Sequence, residues 1–357
     1  MEYTTLDKIS ENLDSKRKPI TSSDRVEGEI PYYGASGIVD YVKDYIFDES
    51  LLLVSEDGAN LLARSTPIAF SVTGKTWINN HAHVLRFSNE NLQKFVEIYL
   101  NSISLESYVT GSAQPKLNQK MLNGIPIPVV DDSQIEIIVN SVENLKSIIE
   151  LRKQELACLD ELIKARFVEM FGDPKINEKR WNSGIISDYY EVKGGKRIPK
   201  GMGYSGEVTT HPYLRATDMK NETILDDDIH YIDDEVYEHI KKYIVKGGDI
   251  YLTNVGVNLG MAGVIPDKYD GANLTENAVK LVPKTEKIID GRFLAHYINS
   301  PGIQEYINER KMSVGVPKLA IFRIETMPLL LPPIDIQIQF VKLCNQVDKS
   351  KVVEKNI

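Results

Sequence analysis

The sequence has few cysteines, no long apolar run and no excess of positive charge. Only Cys158 and Cys344 carry thiols among its 357 residues, which indicates a reducing compartment and no disulfide framework. No window reaches the roughly 18 uninterrupted apolar residues of a membrane span. The opening residues 1–5, MEYTT, lack the pattern of a signal peptide. We therefore expect a cytoplasmic protein with no membrane contact.

The net charge of −9 argues against a protein that binds nucleic acid without help. Residues 1–125 and 126–175 each carry a net charge of −4, residues 176–327 carry −2, and residues 328–357 carry +1. No segment is strongly basic. A polyanion would have to be bound through local basic clusters or with a basic partner.

Motifs of catalysis are also missing. Residues 73–76, TGKT, resemble the end of a phosphate loop but lack its first glycine and its following helix, so they predict a β-turn. No Ser, His and Asp arrangement indicates a nucleophile. The Pro-Pro pair at 332–333 opens a helix and does not belong to the Asn/Asp-Pro-Pro-aromatic motif of amino-methyltransferases. The sequence predicts no catalytic residue.

Two further patterns are better explained by structure than by chemistry. His81 and His83 would share one face of a strand, as metal ligands can, but no third ligand stands at a convincing spacing, so no metal site is expected. Gly256, Gly260 and Gly263 do not match the dinucleotide-binding pattern and predict a tight turn.

An internal repeat is the strongest positive signal. Three segments recur in the same order: 31–35 (PYYGA) as 212–216 (PYLRA), 95–102 (FVEIYLNS) as 293–300 (FLAHYINS), and 115–117 (PKL) as 317–319. The offset drifts from 181 to 202 residues, which is too long for a solenoid or a propeller. The repeat predicts two copies of one mixed α/β domain.

Each copy shows the same order of elements. In the first, strands are predicted at 51–54, 68–72 and 82–87 and a helix at 91–104; in the second, strands at 249–253 and 277–282 and a helix at 292–299. We expect a first recognition domain at 1–128, a helical spacer at 129–174, a second domain at 175–327 and a short spacer at 328–357.

A long helix separates the two copies. Asp132 or Ser133 can cap it, and it should run to about Phe171, roughly 55–60 Å at 1.5 Å per residue. Its apolar positions form a heptad seam for a partner helix: Ile135, Ile138, Val142, Leu145, Ile149, Leu156, Leu159 and Ile163. A second helix opens near Asp335 with only about 20 residues left. We expect the two helices to pack antiparallel and the domains to be related by a pseudo-twofold axis.

Basic residues recur at matching places in the two copies. The clusters precede the paired Pro-Tyr motifs and comprise Lys16, Arg17 and Lys18 in the first copy and Lys193, Lys196, Arg197 and Lys200 in the second. Lys116, Arg215 and Lys318 belong to the recurring motifs themselves. A charge run is usually a solvated face, but recurrence favours contacts with DNA phosphates or guanine edges.

On these residues the chain resembles the specificity subunit of type I restriction–modification systems over essentially its whole length. The resemblance rests on 32–37 (YYGASG), 80–85 (NHAHVL), 110–118 (TGSAQPKLN), 125–134 (IPIPVVDDSQ) and the echo at 317–337.

The resemblance implies a DNA-binding division of labour. Each of two target recognition domains would bind one half of a split site in double-stranded DNA, and the helices would set the unread spacer. Methyltransferase subunits would dock on the helices with S-adenosylmethionine, and restriction subunits would bring ATP, Mg²⁺ and cleavage. This chain itself would hold no cofactor and no catalytic residue. The short second helix departs from the family pattern.

Two other functions remain open at this point. A duplicated-module scaffold on a coiled coil, without DNA, would use the acidic surface to bind proteins. A self-contained methyltransferase or nuclease is disfavoured by the missing motifs.

Overall fold

The computed structural model describes residues 2–111, 114–285 and 288–355, so Ser112 and Ala113 of the recurring motif lie outside the described residues. The chain divides into two compact units, Met1–Arg152 (unit 1) and Lys153–Ile357 (unit 2). No helix within the described ranges is both long enough and apolar enough to cross a membrane.

Unit 1 contains ten strands and the start of the long helix. Its strands are β1 Tyr3–Thr5, β2 Glu11–Asn12, β3 Glu27–Gly34, β4 Gly37–Val42, β5 Phe47–Asp48, β6 Leu51–Ser55, β7 Ala69–Val72, β8 Lys75–Ile78, β9 Ala82–Arg86 and β10 Pro126–Pro128. Its helices are α1 Leu6–Ile9, α2 Asn60–Ala63, α3 Glu90–Ser102, α4 Gln119–Asn123 and the first part of α5 Asp132–Phe171.

Unit 2 contains the end of α5 and a similar series of elements. Its strands are β11 Asn182–Ile185, β12 Tyr190–Gly194, β13 Pro212–Leu214, β14 Met219–Lys220, β15 Thr223–Ile224, β16 His230–Tyr231, β17 Ile250–Thr253, β18 Ala262–Val264, β19 Asn273–Leu274, β20 Ala278–Pro283 and β21 Pro328–Leu331. Its helices are α6 Ile186–Tyr189, α7 Asp234–Ile240, α8 Gly291–Asn299, α9 Pro301–Arg310, α10 Ile321–Glu325 and α11 Ile334–Lys355.

The two units share the strand order of their main sheet, so the repeat seen in the sequence is a repeat of fold. A four-stranded antiparallel sheet has the order β2-β9-β6-β7 in unit 1 and β12-β20-β17-β18 in unit 2. A second sheet contains one parallel pair, β3 with β8 in unit 1 and β13 with β19 in unit 2. The second sheets differ in size, with four strands in unit 1 (β4-β3-β8-β5) and three in unit 2 (β16-β13-β19), and unit 2 adds the pair β14-β15. A two-stranded sheet pairs β1 with β10, and β11 with β21.

Equivalent asparagines tie a helix to the same strand in each unit. In α3, the Asn101 side chain accepts a hydrogen bond from the Ala69 amide and donates one to its carbonyl. In α8, Asn299 makes the same two bonds with Ala262. The match between residues 95–102 and 293–300 therefore reflects a shared packing contact.

Buried strands and helices form a separate core in each unit. Leu52, Val54 and Val96 are fully buried in unit 1, while Leu252 and Phe293 are fully buried in unit 2. β6 is buried along all five residues because β7 and β9 pair with both of its edges and α3 covers one face. This explains its continuous apolar sequence.

The predicted antiparallel helix pair is confirmed within unit 2. Phe340 of α11 lies 5.5 Å, ring centre to ring centre, from both Phe167 and Phe171 at the end of α5. Further along α11, Lys351 forms an ion pair with Asp160. Since α11 advances from 340 to 351 while its neighbours on α5 fall from 167 to 160, the two segments run in opposite directions.

The apolar seam of α5 is divided between two cores. Ile135 is buried in unit 1, Ile138, Val142, Leu156, Leu159 and Ile163 are half-buried, and Leu145 and Ile149 are 58% and 55% exposed. Val139, Phe167 and Phe171 are buried instead, although a strict heptad omits them. Each end of the helix packs on a different core, so one heptad stripe cannot describe both ends. For Leu145 and Ile149, contact with a partner helix stays a prediction.

Candidate nucleic-acid interface

Five loops of unit 1 meet at one edge, which we call the first loop edge: residues 16–20, 35–36, 56–60, 79–81 and the described part of the last loop, 110–111 and 114–116. Backbone hydrogen bonds hold them together. The Glu56 amide donates to His81 (2.9 Å), and the Leu117 amide donates to Glu56 (2.8 Å). Gly58 donates to the carbonyl of Pro115 at 3.1 Å. The edge is thus built from loops whose bases are fixed by the strands.

Unit 2 builds an equivalent edge, the second loop edge, from residues 195–200, 215–216, 254–260, 275–277 and 312–318. Asn254 donates its amide to Asn277 (2.9 Å) and accepts from Leu319 (2.8 Å). Gly256 donates to the carbonyl of Pro317 at 2.9 Å. The register of these bonds matches that of the first loop edge residue for residue.

One glycine has the same role in both edges. Gly58 and Gly256 have φ angles of +109° and +103°, in the left-handed region that glycine adopts without strain. This turn points each amide at the carbonyl of a proline, Pro115 or Pro317. The recurring Pro-Lys-Leu motif is therefore the partner of a glycine turn that occurs in both units, a relation that its sequence spacing alone does not reveal.

Most of the predicted lysines lie exposed on these edges. Five of them form no ion pair among the described residues: Lys16, Lys18, Lys196, Lys200 and Lys318. The Lys196 ammonium group lies 5.8 Å from the centre of the Tyr243 ring. Lys116 forms an ion pair with Glu56 at 3.6 Å. Lys193, on β12, forms one with Glu191 at 2.8 Å. The unpaired lysines are free to neutralise an approaching polyanion.

Arg17, by contrast, is held inside unit 1. Its side chain is 13% exposed and donates to Glu56 at 2.6 Å and to the carbonyl of Ala82 at 2.8 Å. It also lies 3.4 Å from the Asp14 carboxylate. These contacts give Arg17 a structural role at the base of the first loop edge.

The other two predicted arginines are paired with acids on the surface of unit 2. Arg197 forms an ion pair with Glu276 and keeps 78% of its side chain exposed. Arg215 donates to Asp218 at 2.7 Å and to Asp228 at 3.0 Å. The hydrogen bond from Arg215 lowers the pKa of Asp228 from its ordinary value. Arg197 could exchange its partner for a phosphate, whereas Arg215 is fixed by two carboxylates.

A cluster that the sequence did not reveal lies under the first loop edge. Asp14, Glu56 and His83 place one ligand atom each within 4.8 Å of one another, a grouping that can hold a metal ion. The atoms are already engaged: His83 Nδ1 lies 2.5 Å from Asp14, and Nε2 lies 2.7 Å from the Leu117 carbonyl. Both ring nitrogens therefore already have hydrogen-bond partners within the protein.

Asp14 and His83 form a buried pair that hydrogen bonds and charges stabilise. Burial raises the pKa of the Asp14 carboxyl, but the hydrogen bond and charge of His83, the amide of Val84 and the charge of Arg17 outweigh it, so the pKa lies below its ordinary value. His83 is 1% exposed. Its partners stand 69 and 27 residues away along the chain, so no local spacing could indicate them.

His81 behaves differently from His83 and does not share its site. Its Nδ1 lies 2.9 Å from Asp57, and half of the side chain is exposed. The pair borders an open recess of about 580 Å³ whose lining includes Asn60, Asn79 and Asn80. The first loop edge thus has a concave surface lined in part by polar residues, the residue type that hydrogen-bonds base edges.

Comparison with known proteins gives one consistent family. The family model of the type I restriction modification DNA specificity domain matches residues 1–161 and 178–357. A putative type I restriction enzyme specificity subunit of Haemophilus influenzae is 28% identical over 338 residues, covering 89% of this chain and 84% of the relative.

Solved structures support the same fold. The S subunit of a type I restriction–modification system from M. genitalium is similar with a TM-score of 0.58 at 15% identity, covering 99% of this chain and 91% of that one. A chain from work on complex assembly and conformational transition of the type I R-M system has a TM-score of 0.61 at 13% identity, covering 99% and 92%. With two matched copies over nearly its whole length, the chain belongs to the family of type I restriction–modification DNA specificity subunits.

Proposed function

We propose that each unit binds one half of a bipartite site in double-stranded DNA through its loop edge. One observation carries this proposal: the five-loop construction and its glycine turn recur in both units, and each edge presents lysines without an internal partner. Lysine ammonium groups neutralise phosphates without regard to sequence. Base recognition would come from the polar and apolar side chains between them.

Helices α5 and α11 supply the spacer and the surface for partner subunits in this proposal. A helix transmits distance at about 1.5 Å per residue and bends little over its length. The exposed apolar residues in the middle of α5, Leu145, Ile148, Ile149 and Leu151, offer methyltransferase subunits a docking stripe. S-adenosylmethionine, ATP and Mg²⁺ would belong to the methyltransferase and restriction subunits, while this chain supplies recognition.

A methylation assay tests this division of labour. The purified chain alone, given S-adenosylmethionine and duplex DNA, should transfer no methyl group. Addition of its methyltransferase subunit should give adenine methylation at one bipartite sequence. Methyl transfer by the chain alone would contradict the proposal, and so would a reconstituted complex that methylates DNA without sequence preference.

Salt dependence tests the loop edges themselves. Replacing Lys16, Lys18, Lys196 and Lys200 with alanine should lower the affinity of the reconstituted complex for all DNA sequences. The slope of log K against log salt should flatten by about one for each phosphate that the variant no longer neutralises.

A matched variant controls for loss of charge alone. Lys94 and Lys268 lie away from the loop edges, on α3 and after β18, and form ion pairs or hydrogen bonds with Glu90 and Asp226. Their replacement should leave the slope unchanged. If the native chain and the loop-edge variant have equal slopes of log K against log salt, the lysine clusters face solvent and do not contact DNA.

A further inference from the structure

The loop at residues 312–318 carries apolar side chains at its tip. Val314 is 96% exposed, Val316 65% and Met312 60%. Val257, in the neighbouring loop of the second loop edge, is 97% exposed. Apolar side chains exposed in one group on a single edge point to a binding partner, because water solvates them poorly.

The base of this loop is fixed although its tip is exposed. Met312 and Lys318 exchange two backbone hydrogen bonds, of 2.8 and 3.1 Å. The Gly256 amide donates to Pro317, which brings the loop that carries Val257 against the same stem. Leu319, the next residue along, is completely buried. A hydrogen-bonded stem therefore holds the valines at the surface. Their exposure does not come from a poorly packed core.

Charge around the tip matches a nucleic-acid groove. Lys318 stands at the stem with no ion pair among the described residues, and Lys196 and Lys200 belong to the same loop edge. An apolar tip among cations has the pattern that a duplex groove requires, since phosphates border the groove and the thymine C5-methyl is the apolar group on its floor.

The two copies of this loop differ in chemistry. Unit 2 has Val316 where the register of the repeat places Gln114 in unit 1. The stems are alike, because Thr110 pairs with Lys116 as Met312 pairs with Lys318. A shared stem with different tip residues is the arrangement expected of two loops that bind different bases.

We propose that Val314 and Val316 determine specificity in the half-site of unit 2 by contacting thymine methyl groups in the major groove. This proposal rests on the proposed function, that each unit binds one half-site through its loop edge. It goes further by assigning one loop and one chemical group on the DNA.

Uracil substitution tests the contact, because deoxyuridine pairs like thymidine but lacks the C5-methyl. Each thymine of the half-site is replaced in turn, and the affinity of the reconstituted complex is measured. The native chain should lose about fourfold at one or two positions, as burial of one methyl group predicts. The double variant Val314→Ser, Val316→Ser should bind the native site more weakly and show no difference between thymine and uracil.

Val208→Ser is the control, since Val208 is 79% exposed and belongs to none of the five loops of the second loop edge. It should keep the full response to uracil. If the affinity of the native complex does not change when uracil replaces any thymine of the half-site, the proposal is overturned. A half-site made only of G·C pairs would overturn it as well. Loss of methyltransferase binding in the double variant, with the uracil response intact, would overturn it by assigning the loop to a protein partner. Absence of any sequence-specific binding by the native complex would instead refute the proposed function.

Discussion

The Asp14–His83 pair fixes the base of the first loop edge, and its removal should destabilise unit 1. Replacing Asp14 with alanine removes the 2.5 Å partner of Nδ1 of His83, which is 1% exposed, and leaves only Glu56 at 3.8 Å, beyond hydrogen-bond distance. We expect a loss of about 3 kcal/mol in the free energy of unfolding, as for other broken buried charged pairs. Thermal denaturation measures the loss, and amide hydrogen exchange in β9 assigns it to unit 1.

The exposed histidine pair of the same edge provides the control. Asp57 contacts His81, whose side chain is 50% exposed. Asp57→Ala should cost less than about 1 kcal/mol, as is usual for exposed ion pairs. Similar losses for the two variants would show that the buried pair contributes nothing special.

The depressed pKa of Asp14 also predicts how stability depends on pH. Its ionised form contributes stability fully above its ordinary value of 3.8, and this contribution is lost as pH falls through the lower pKa of the folded state. The part of the free-energy difference between the native chain and Asp14→Asn that comes from the carboxylate should therefore shrink as pH falls below about 3.8. Urea denaturation at a series of pH values measures it. A difference that grew in acid would contradict this account.

At the level of single residues, contact of the recurring basic residues with DNA stays a prediction. The structure places them on loops or strands next to the loop edges. Their partners could not be predicted, because Arg17 meets Glu56 and Arg197 meets Glu276 across 39 and 79 residues of chain. Whether a cation is free or neutralised depends on tertiary neighbours that no local pattern records.

Among the elements, α5 and α11 contact each other through a buried aromatic cluster in unit 2. Phe340 is fully buried against Phe167, Phe171 and His296. Phe340→Ala should destabilise unit 2 by about 3–5 kcal/mol because it leaves a cavity in a packed aromatic cluster. Phe322→Ala, at a side chain that is 56% exposed, should cost far less. Urea denaturation of the full chain compares them, and equal losses would mean that α11 is not held by this cluster.

Elements with strong periodicity were predicted closely, and short ones were missed. The helix expected from Asp132 or Ser133 to Phe171 is α5, Asp132–Phe171, and the helix expected near Asp335 is α11, Ile334–Lys355. The second sheet escaped prediction for two reasons. β5 and β13 have only two and three residues, while β3, although eight residues long, contains Gly28 and Pro31 and pairs with β4 through register shifts. Short strands exist through pairing with distant segments and carry no period of their own.

The middle of α5 should act as a ruler between the two half-sites. Four residues inserted after Ser147, where the side chains are exposed, add about 6 Å and about one helical turn. The spacer in the methylated sequence should grow by about two base pairs, at 3.4 Å each, with both half-sites unchanged. Insertion of two residues should abolish methylation, because it turns one unit by about half a revolution. A spacer whose length does not change with the four-residue insertion would contradict the proposal that α5 sets the distance between the half-sites.

For the whole molecule, the duplicated fold was predictable from the sequence. Matching segments such as 95–102 and 293–300 indicated two domains, and the main sheet has the same strand order in both units. The boundary between the compact units falls within α5, after Arg152, because that helix contributes Ile135 and Val139 to one core and Phe167 and Phe171 to the other. The pseudo-twofold axis stays a prediction.

The independence of the two units is the central claim of this account. Each unit has its own core and its own loop edge, so each should specify its half of the site without the other. The most direct test exchanges residues 1–128 for the equivalent domain of another type I specificity subunit and sequences the adenines methylated by the reconstituted complex. We predict that one half-site changes while the other half-site and the spacer stay the same. A change in both half-sites, or in neither, would contradict the claim.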